Sequence, residues 1–181
     1  MVEIRRATPA DARGLAEVHI RTWRISYAGL LPEATLARLS VSARARRWAQ
    51  LLHEGTEPTW AAFDGARAIG FSSSGPARDR DAPAQLELYS LYVDPDKHGT
   101  GVGVSLLQHS VENAAAYLWV LKGNARAIRF YEKNGFALDG VEKVQQAADG
   151  TPMSELRMSR PAQVPASATG GSAHALGNAA G

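Results

Sequence analysis

Cysteine is absent from the 181-residue chain. Disulfide bonds, thiolate nucleophiles and cysteine-ligated metals are therefore excluded, and the expected compartment is a reducing cytoplasm. The chain also lacks any run of the roughly 20 apolar residues that a membrane-spanning helix needs. Residues 1–14 do not contain the long apolar segment of a secretion signal. We therefore expect a cytoplasmic protein without a membrane partner.

Charge of one sign is not in strong excess, since the chain has 20 lysines and arginines and 18 aspartates and glutamates. The one dense basic cluster (Arg44, Arg46 and Arg47) lies in a helical pattern, which is typical of a solvated face. Because no basic patch is interleaved with aromatic residues, we expect no nucleic-acid partner. No set of side chains has a convincing metal-ligand or Ser-His-Asp spacing, so we expect no metal and no acyl-enzyme.

Hydrophobic periodicity divides most of the chain into strands and helices. Strands are predicted at 2–6, 59–63, 68–73, 85–93, 118–121, 136–138 and 154–158, and helices at about 8–27, 32–39, 42–52, 101–117 and 124–134. This order indicates one α/β or α+β domain, residues 1–160, with a mixed sheet flanked by helices. Residues 161–181 are rich in alanine, glycine and serine, and predict a mobile or loosely docked tail.

A glycine-rich segment joins the strongest predicted strand to the helix that follows it. The segment reads HGTGVG, His98–Gly103. Glycines let backbone N–H groups approach phosphate oxygens, and the first helical turn adds unpaired N–H groups and a positive dipole end. A P-loop would need Gly-Lys-Ser/Thr here, and a dinucleotide fingerprint would need glycine at Leu106, so both are excluded. From this motif alone, a turn without a ligand remains the alternative.

Two motifs, in this order, resemble the GNAT superfamily of acyl-CoA-dependent N-acetyltransferases. The first is the signature Q/R-x-x-G-x-G/A, matched by His98–Gly103 after "LYVDP", with histidine in place of the usual Gln or Arg. The second is N-x-x-A-x-x-x-Y-x-x-x-G-F, matched in this chain by Asn124, Ala127, Tyr131, Gly135 and Phe136. "TWRISYAGLLP" near the amino terminus also resembles bacterial members, and the resemblance covers about residues 2–160.

The resemblance implies a mixed, mostly antiparallel sheet, splayed where acyl-CoA binds, with acetyl-CoA as cosubstrate. Backbone groups of Leu91, Tyr92 and Val93 would pair with the pantetheine amides, as an added strand pairs with a sheet edge. Asn124 would contact the cofactor arm or simply cap its helix. The pyrophosphate would lie on the backbone of His98, Gly99, Thr100, Gly101, Val102, Gly103 and Val104.

The resemblance places the hydroxyl of Tyr131 near the cofactor sulfur, where a phenol can protonate the departing thiolate; a core role is the alternative. An alkylamine has a pKa of about 10.4, so the acceptor must lose a proton before it attacks. Glu87 is the predicted base, with a charge on a wet sheet face as the alternative and Glu132 and Glu142 as weaker candidates. Strand alternation would place Glu87 with Leu91 and Val93, opposite Tyr92.

Several other residues are weaker candidates. Lys97, Arg126 and Arg129 are candidates for contacts with the outer phosphates of the cofactor, or for ordinary solvated charges. Tyr27, like Trp23 and Trp48, either packs in the core or forms the acceptor cleft, and Tyr27 beside Gly29 is the candidate substrate-binding residue.

The predicted function is therefore direct acetyl transfer from acetyl-CoA to a primary amine of a small molecule or peptide. A non-catalytic acyl-CoA-binding module is the alternative. A homodimer, common in the family, is implied by resemblance alone.

Overall fold

The computed structural model describes residues 1–163, so the predicted tail lies outside the described residues from 164 onward. Seven strands form one sheet in the order β1-β2-β3-β4-β5-β7-β6. The strands are β1 (Val2–Arg6), β2 (Thr59–Asp64), β3 (Arg67–Pro76), β4 (Leu86–Val93), β5 (Ala116–Leu121), β6 (Ala137–Gln146) and β7 (Pro152–Arg160). The helices are α1 (Ala12–Ser26), α2 (Glu33–Ala37), α3 (Val41–Glu54), α4 (Val102–Val111) and α5 (Ala125–Lys133).

All strand pairs are antiparallel except β4 with β5, which confirms the predicted mixed, mostly antiparallel sheet. Helices α1 and α3 cover one face of the sheet, where Leu15, Trp48 and Phe71 are buried together. Helices α4 and α5 cover the other, where Leu107 and Tyr131 are buried together. We call these the α1 face and the α4 face.

The two central strands separate along their length. β4 and β5 pair only at Leu86–Leu88 with Ala116–Leu118. Beyond these pairs no strand within residues 1–163 pairs with the rest of β4, through Val93, on its β5 side. A sheet edge is therefore exposed in the middle of the domain, as the resemblance implied.

A β-bulge in β4 changes which side chains share a face. Ser73 pairs with Ser90 and Ser74 with Leu88, so Tyr89 has no opposite residue on β3. The extra residue reverses the alternation. Glu87 therefore lies on the α1 face with Tyr92, and the side chains of Leu91 and Val93 pack on the α4 face. The prediction that Glu87 shares a face with Leu91 and Val93 was wrong.

The boundaries of two elements, α4 and β6, differ most from the sequence prediction. α4 ends at Val111, because Glu112 adopts a φ of 42° and leaves the helix; the apolar periodicity had continued through residues that instead begin β5. β6 is ten residues long rather than three, and its mostly exposed side chains carry little of the alternation that reveals a strand. Within residues 1–163, no helix is long and apolar enough to cross a membrane.

Candidate active site

The separation of β4 from β5 opens a cavity of about 410 Å³, which we call the main cleft. It is bounded by the free edge of β4, the glycine-rich turn, the end of β5 and helix α5. Thr100 and Val102 are not among its lining residues. The predicted site residues that line it are Leu91, Tyr92, Val93, His98, Gly99, Gly101, Gly103, Val104, Asn124, Tyr131 and Tyr27.

The three glycines of the turn serve two different purposes. Gly99 and Gly101 have φ values of 78° and 88°, in the left-handed region that side chains with a Cβ adopt only under strain. Gly103 instead permits close helix packing, since a Cβ there would lie 3.3 Å from the Phe130 ring. The glycines thus shape the turn and bring α4 against α5.

The first turn of α4 presents backbone N–H groups toward the cleft. Gly101 is the N-cap residue, and the amides of 101–104 have no acceptor among the described residues. Unpaired amides and the positive end of a helix dipole attract anions. The resemblance implied a pyrophosphate at this turn, and that placement stays a prediction.

His98 ties the turn back to β4. Its Nε2 lies 3.0 Å from the carbonyl oxygen of Val93, so Nε2 carries the proton and donates it to that bond. Its Nδ1 is buried without a partner in the part of the chain that the structure describes. Burial, with a contribution from the charge of Arg126, lowers the pKa of His98. The histidine that departs from the family signature is thus a neutral side chain that fastens the turn to β4.

The two predicted residues of α5 both face the main cleft. The Asn124 side chain accepts a hydrogen bond from the Ala127 amide at 3.1 Å, so it caps the helix and also lines the cleft. Tyr131 is buried, with its ring 5.2 Å from Phe130 and 5.7 Å from Phe136. Burial raises the pKa of Tyr131 well above its ordinary value. The phenol therefore stays protonated at neutral pH and can donate a proton.

Two of the three predicted phosphate-binding cations line the main cleft. Lys97 lines the cleft but forms an ion pair with Asp64 at 2.7 Å. Arg126 is exposed and lines the cleft, whereas Arg129 is exposed and is not a lining residue. Arg126 is thus better placed than Arg129 to meet an anionic ligand.

A second cavity of about 140 Å³ adjoins the main cleft on the α1 face, and we call it the polar pocket. Tyr27, Tyr92 and Trp119 line both cavities. Glu87 and Glu155 line only the polar pocket. Sequence reasoning missed Glu155, although it lies in "MSELRM", a carboxylate in a strand with apolar neighbours, which is the signal that pointed to Glu87.

The oxygens of Glu87 are already occupied. Arg78 donates from Nη2 to Oε1 at 2.6 Å and from Nε to Oε2 at 3.0 Å, and its backbone N–H donates to Oε2 at 3.1 Å. The Tyr117 hydroxyl donates to Oε2 at 2.8 Å. A carboxylate has about two lone-pair sites on each oxygen, so three donors saturate Oε2 and one donor leaves a single site on Oε1.

The weaker candidates lie elsewhere on the molecule. Glu132 is exposed on α5, and Glu142 on β6 is paired with Lys122 at 2.9 Å. Neither residue lines the main cleft or the polar pocket.

Comparison with known proteins gives consistent results. The sequence profile described as the acetyltransferase (GNAT) family matches residues 21–136. A probable N-acetyltransferase of Mycobacterium tuberculosis is 32% identical over 144 residues, which are 77% of this chain and 82% of that protein.

Two solved structures share the fold. The PaiA N-acetyltransferase of Thermoplasma acidophilum, solved in complex with coenzyme A, aligns with a TM-score of 0.61 and 23% identity, over 86% of this chain and 98% of that one. An acetyltransferase described as putative from Salmonella typhimurium, solved with acetyl-CoA, aligns with a TM-score of 0.63 and 19% identity, over 92% and 96%.

Proposed function

Because the chain belongs to the acetyltransferase (GNAT) family, we propose that it transfers the acetyl group of acetyl-CoA directly to a primary amine. The observation that carries the proposal is the continuity of the main cleft. A free strand edge, a turn with unpaired amides and a buried, protonated tyrosine line this single cavity. Each group suits one part of a thioester substrate that has an amide arm and a pyrophosphate.

The residues present fit acyl-CoA. The backbone of Leu91–Val93 offers N–H and C=O groups to the amide arm, as an edge strand offers them to an added strand. The amides of 101–104 suit the pyrophosphate, and Arg126 suits an outer phosphate. The coenzyme A and acetyl-CoA in the two solved neighbours belong to those proteins, and they support the same ligand class here.

The bound cosubstrate supplies an activated acetyl thioester, and the chain's own groups orient it and move protons. The hydroxyl of Tyr131 donates a proton to the sulfur as the thiolate leaves. A phenol suits this step because its proton is retained at neutral pH, where a carboxylic acid would already have ionised. Asn124, at the start of α5, keeps the helix that carries Tyr131 in place.

The base role that the sequence predicted for Glu87 stays a prediction. The donors from Arg78 and Tyr117 on its oxygens argue against direct contact with the amine. Glu87 instead fixes Arg78, which also lines the polar pocket. Measuring kcat of Glu87→Gln tests whether the carboxylate also takes part in removing the proton of the amine.

The test is release of free thiol from acetyl-CoA with a panel of primary amines. We expect turnover above hydrolysis, with kcat lowered by about 10²–10⁴ in Tyr131→Phe. The dissociation constant of coenzyme A serves as the control, because the phenyl ring keeps the packing and binding should not change. If coenzyme A binds but no amine is acetylated, the chain is the non-catalytic acyl-CoA-binding module and the transferase proposal fails.

A further inference from the structure

The polar pocket combines aromatic walls with an unpaired carboxylate. Trp23 and Tyr27 from α1, Tyr92 from β4 and Trp119 from β5 contribute the walls. Glu155 on β7 contributes the carboxylate. Since Tyr27, Tyr92 and Trp119 also line the main cleft, the two cavities adjoin at these rings.

Glu155 differs from the neighbouring Glu87 in having no hydrogen-bond or ion-pair partner among residues 1–163. Its Oε2 is buried and receives no hydrogen bond from any described residue. The nearest cation on the adjacent strand, Lys143 of β6, is engaged elsewhere. Its Nζ lies 3.8 Å from the centre of the Trp119 ring and 3.9 Å from Asp79. Glu155 is half-buried, and a buried carboxylate oxygen without a hydrogen-bond donor is costly, so the site is suited to a cation that arrives from outside.

We propose that the polar pocket is the acceptor subsite, in which Glu155 binds the ammonium group of an unbranched primary alkylamine and accepts its proton. The inference rests on the proposed acetyl transfer. It names the class of amine acceptor, which that proposal leaves open. The aromatic faces attract the ammonium group and cover the methylene groups next to it.

The dimensions of the pocket favour a slender amine. A volume of about 140 Å³, at about 30 Å³ per water molecule in the liquid, holds roughly five non-hydrogen atoms. An ammonium group and about four methylene groups fill that space, and a longer linear chain extends out of it. A primary amine attached directly to a six-membered ring has seven non-hydrogen atoms, which is more than this volume holds.

The chemical step balances with the groups present. The ammonium group of the acceptor gives one proton to the Glu155 carboxylate and becomes a neutral amine. Its lone pair forms the C–N bond to the thioester carbonyl carbon, and the C–S bond breaks. The proton that the new amide nitrogen loses reaches the thiolate through Tyr131. Glu155 then releases its proton to water, so the products are an amide, a thiol and one proton.

The electrostatic surroundings are consistent with this role. Burial raises the pKa of Glu155, which brings a carboxylate closer to the range useful for a general base. The charges that face it are Lys143 of β6 and Arg78 before β4, which lower its pKa, and Glu87 of β4 and Asp79, which raise it. The tyrosines that face it are Tyr27 and Tyr92.

The first experiment measures binding to the full chain saturated with coenzyme A. The probes are n-hexylamine, cyclohexylamine and the uncharged n-hexanol, each with six carbons, followed by tryptophan fluorescence because Trp23 and Trp119 line the pocket. We expect n-hexylamine to bind more tightly than either other probe. We expect Glu155→Gln to weaken n-hexylamine roughly tenfold or more, the usual consequence of losing a charged hydrogen bond. Glu142→Gln, an exposed glutamate on the next strand, is the control and binds as wild type.

The second experiment measures acetylation of n-hexylamine by the same variants. Wild-type binding and wild-type kcat/KM in Glu155→Gln would overturn the subsite while leaving the transferase proposal intact. Glu155-dependent binding without thiol release would overturn the transferase proposal and keep the cation site. Equal affinity for cyclohexylamine and n-hexylamine would overturn the claim that the pocket selects an unbranched alkyl chain. Urea unfolding of Glu155→Gln checks that the nearly isosteric variant is folded.

Discussion

Arg78 and Glu87 form a two-point ion pair across the loop that precedes β4. The guanidinium donates at 2.6 Å and 3.0 Å to the two oxygens of a side chain that is 2% exposed. The same guanidinium lies 3.9 Å from the centre of the Tyr89 ring. Because Tyr89 is the bulged residue of β4, the bulge, the ion pair and the loop form one unit beside the polar pocket.

Removing the cation should destabilise the fold. Arg78→Met leaves the Glu87 carboxylate with the Tyr117 hydroxyl and one amide as its donors. Breaking a buried ion pair costs about 3–5 kcal/mol. The Arg78 side chain is 57% exposed, and water can replace part of it, so we expect a loss of about 1–3 kcal/mol in the free energy of unfolding. Urea denaturation measures this value.

Arg80→Met is the matched control for that variant. Arg80 is an exposed arginine of the same loop, without an ion pair among residues 1–163. Its substitution should change the free energy of unfolding by less than about 0.5 kcal/mol. Equal losses in the two variants would show that the ion pair does not stabilise the loop.

The left-handed backbone at Gly101 should matter for both stability and cofactor binding. Alanine at a φ of 88° costs roughly 1–2 kcal/mol and shifts the amides of the first turn of α4. We therefore expect Gly101→Ala to weaken coenzyme A binding about tenfold, which corresponds to about 1.4 kcal/mol. Isothermal titration calorimetry measures the affinity.

Gly55→Ala separates the effect of backbone strain on stability from its effect on coenzyme A binding. Gly55 has a φ of 65° at the end of α3, and no atom within 4 Å would meet its Cβ. The backbone strain is similar to that at Gly101, but Gly55 does not line the cleft. Gly55→Ala should lower the free energy of unfolding by about as much as Gly101→Ala does, and it should keep wild-type affinity for coenzyme A. Equal weakening of coenzyme A in both variants would remove the glycine turn from the binding site.

The sheet class could be predicted from the sequence because hydrophobic periodicity is a local signal, whereas the residues expected to line the cleft were implied by the resemblance of two motifs. Glycine spacing, strand alternation and the Asn124 cap each act within a few residues. The bulge at Tyr89 could not be read in the same way. It follows from pairing with β3, and it reversed the face assigned to Glu87. Glu155 was missed because its significance lies in the absence of a hydrogen-bond donor to Oε2 among the described residues. Only the packed structure shows this absence.

His19 should make the stability of the protein depend on pH. Its ring is buried among aromatic side chains, 4.8 Å from Tyr92, with neither nitrogen hydrogen-bonded to a described residue. Burial, with a smaller contribution from Arg44, lowers the pKa of His19 from 6.5 to about 3. The unfolded chain therefore binds the extra proton between about pH 6.5 and 3, and stability is lost as the pH falls through that window.

The expected loss from this histidine is about 2 kcal/mol between pH 7 and pH 5. Urea denaturation at both pH values measures it. His19→Phe keeps a ring in the cluster and should remove most of the difference. His53→Phe, at an exposed position on α3, should keep it. An unchanged pH dependence in His19→Phe would assign the acid sensitivity to other groups.

The raised pKa of Tyr131 predicts the alkaline limb of the rate profile. A phenol that donates a proton to the leaving thiolate must be protonated, and burial keeps it so above its ordinary pKa of about 10. With saturating amine and acetyl-CoA, kcat should therefore show no decline that depends on Tyr131 up to about pH 10. Tyr131→Phe should lower kcat by a constant factor across this range, because the lost proton donor is the same species throughout. A decline with a midpoint below pH 10 that disappears in Tyr131→Phe would show that the phenol ionises too easily to be the acid. Thiol release, measured from pH 6 to 10 with coenzyme A affinity followed in parallel, distinguishes this outcome from loss of cofactor binding.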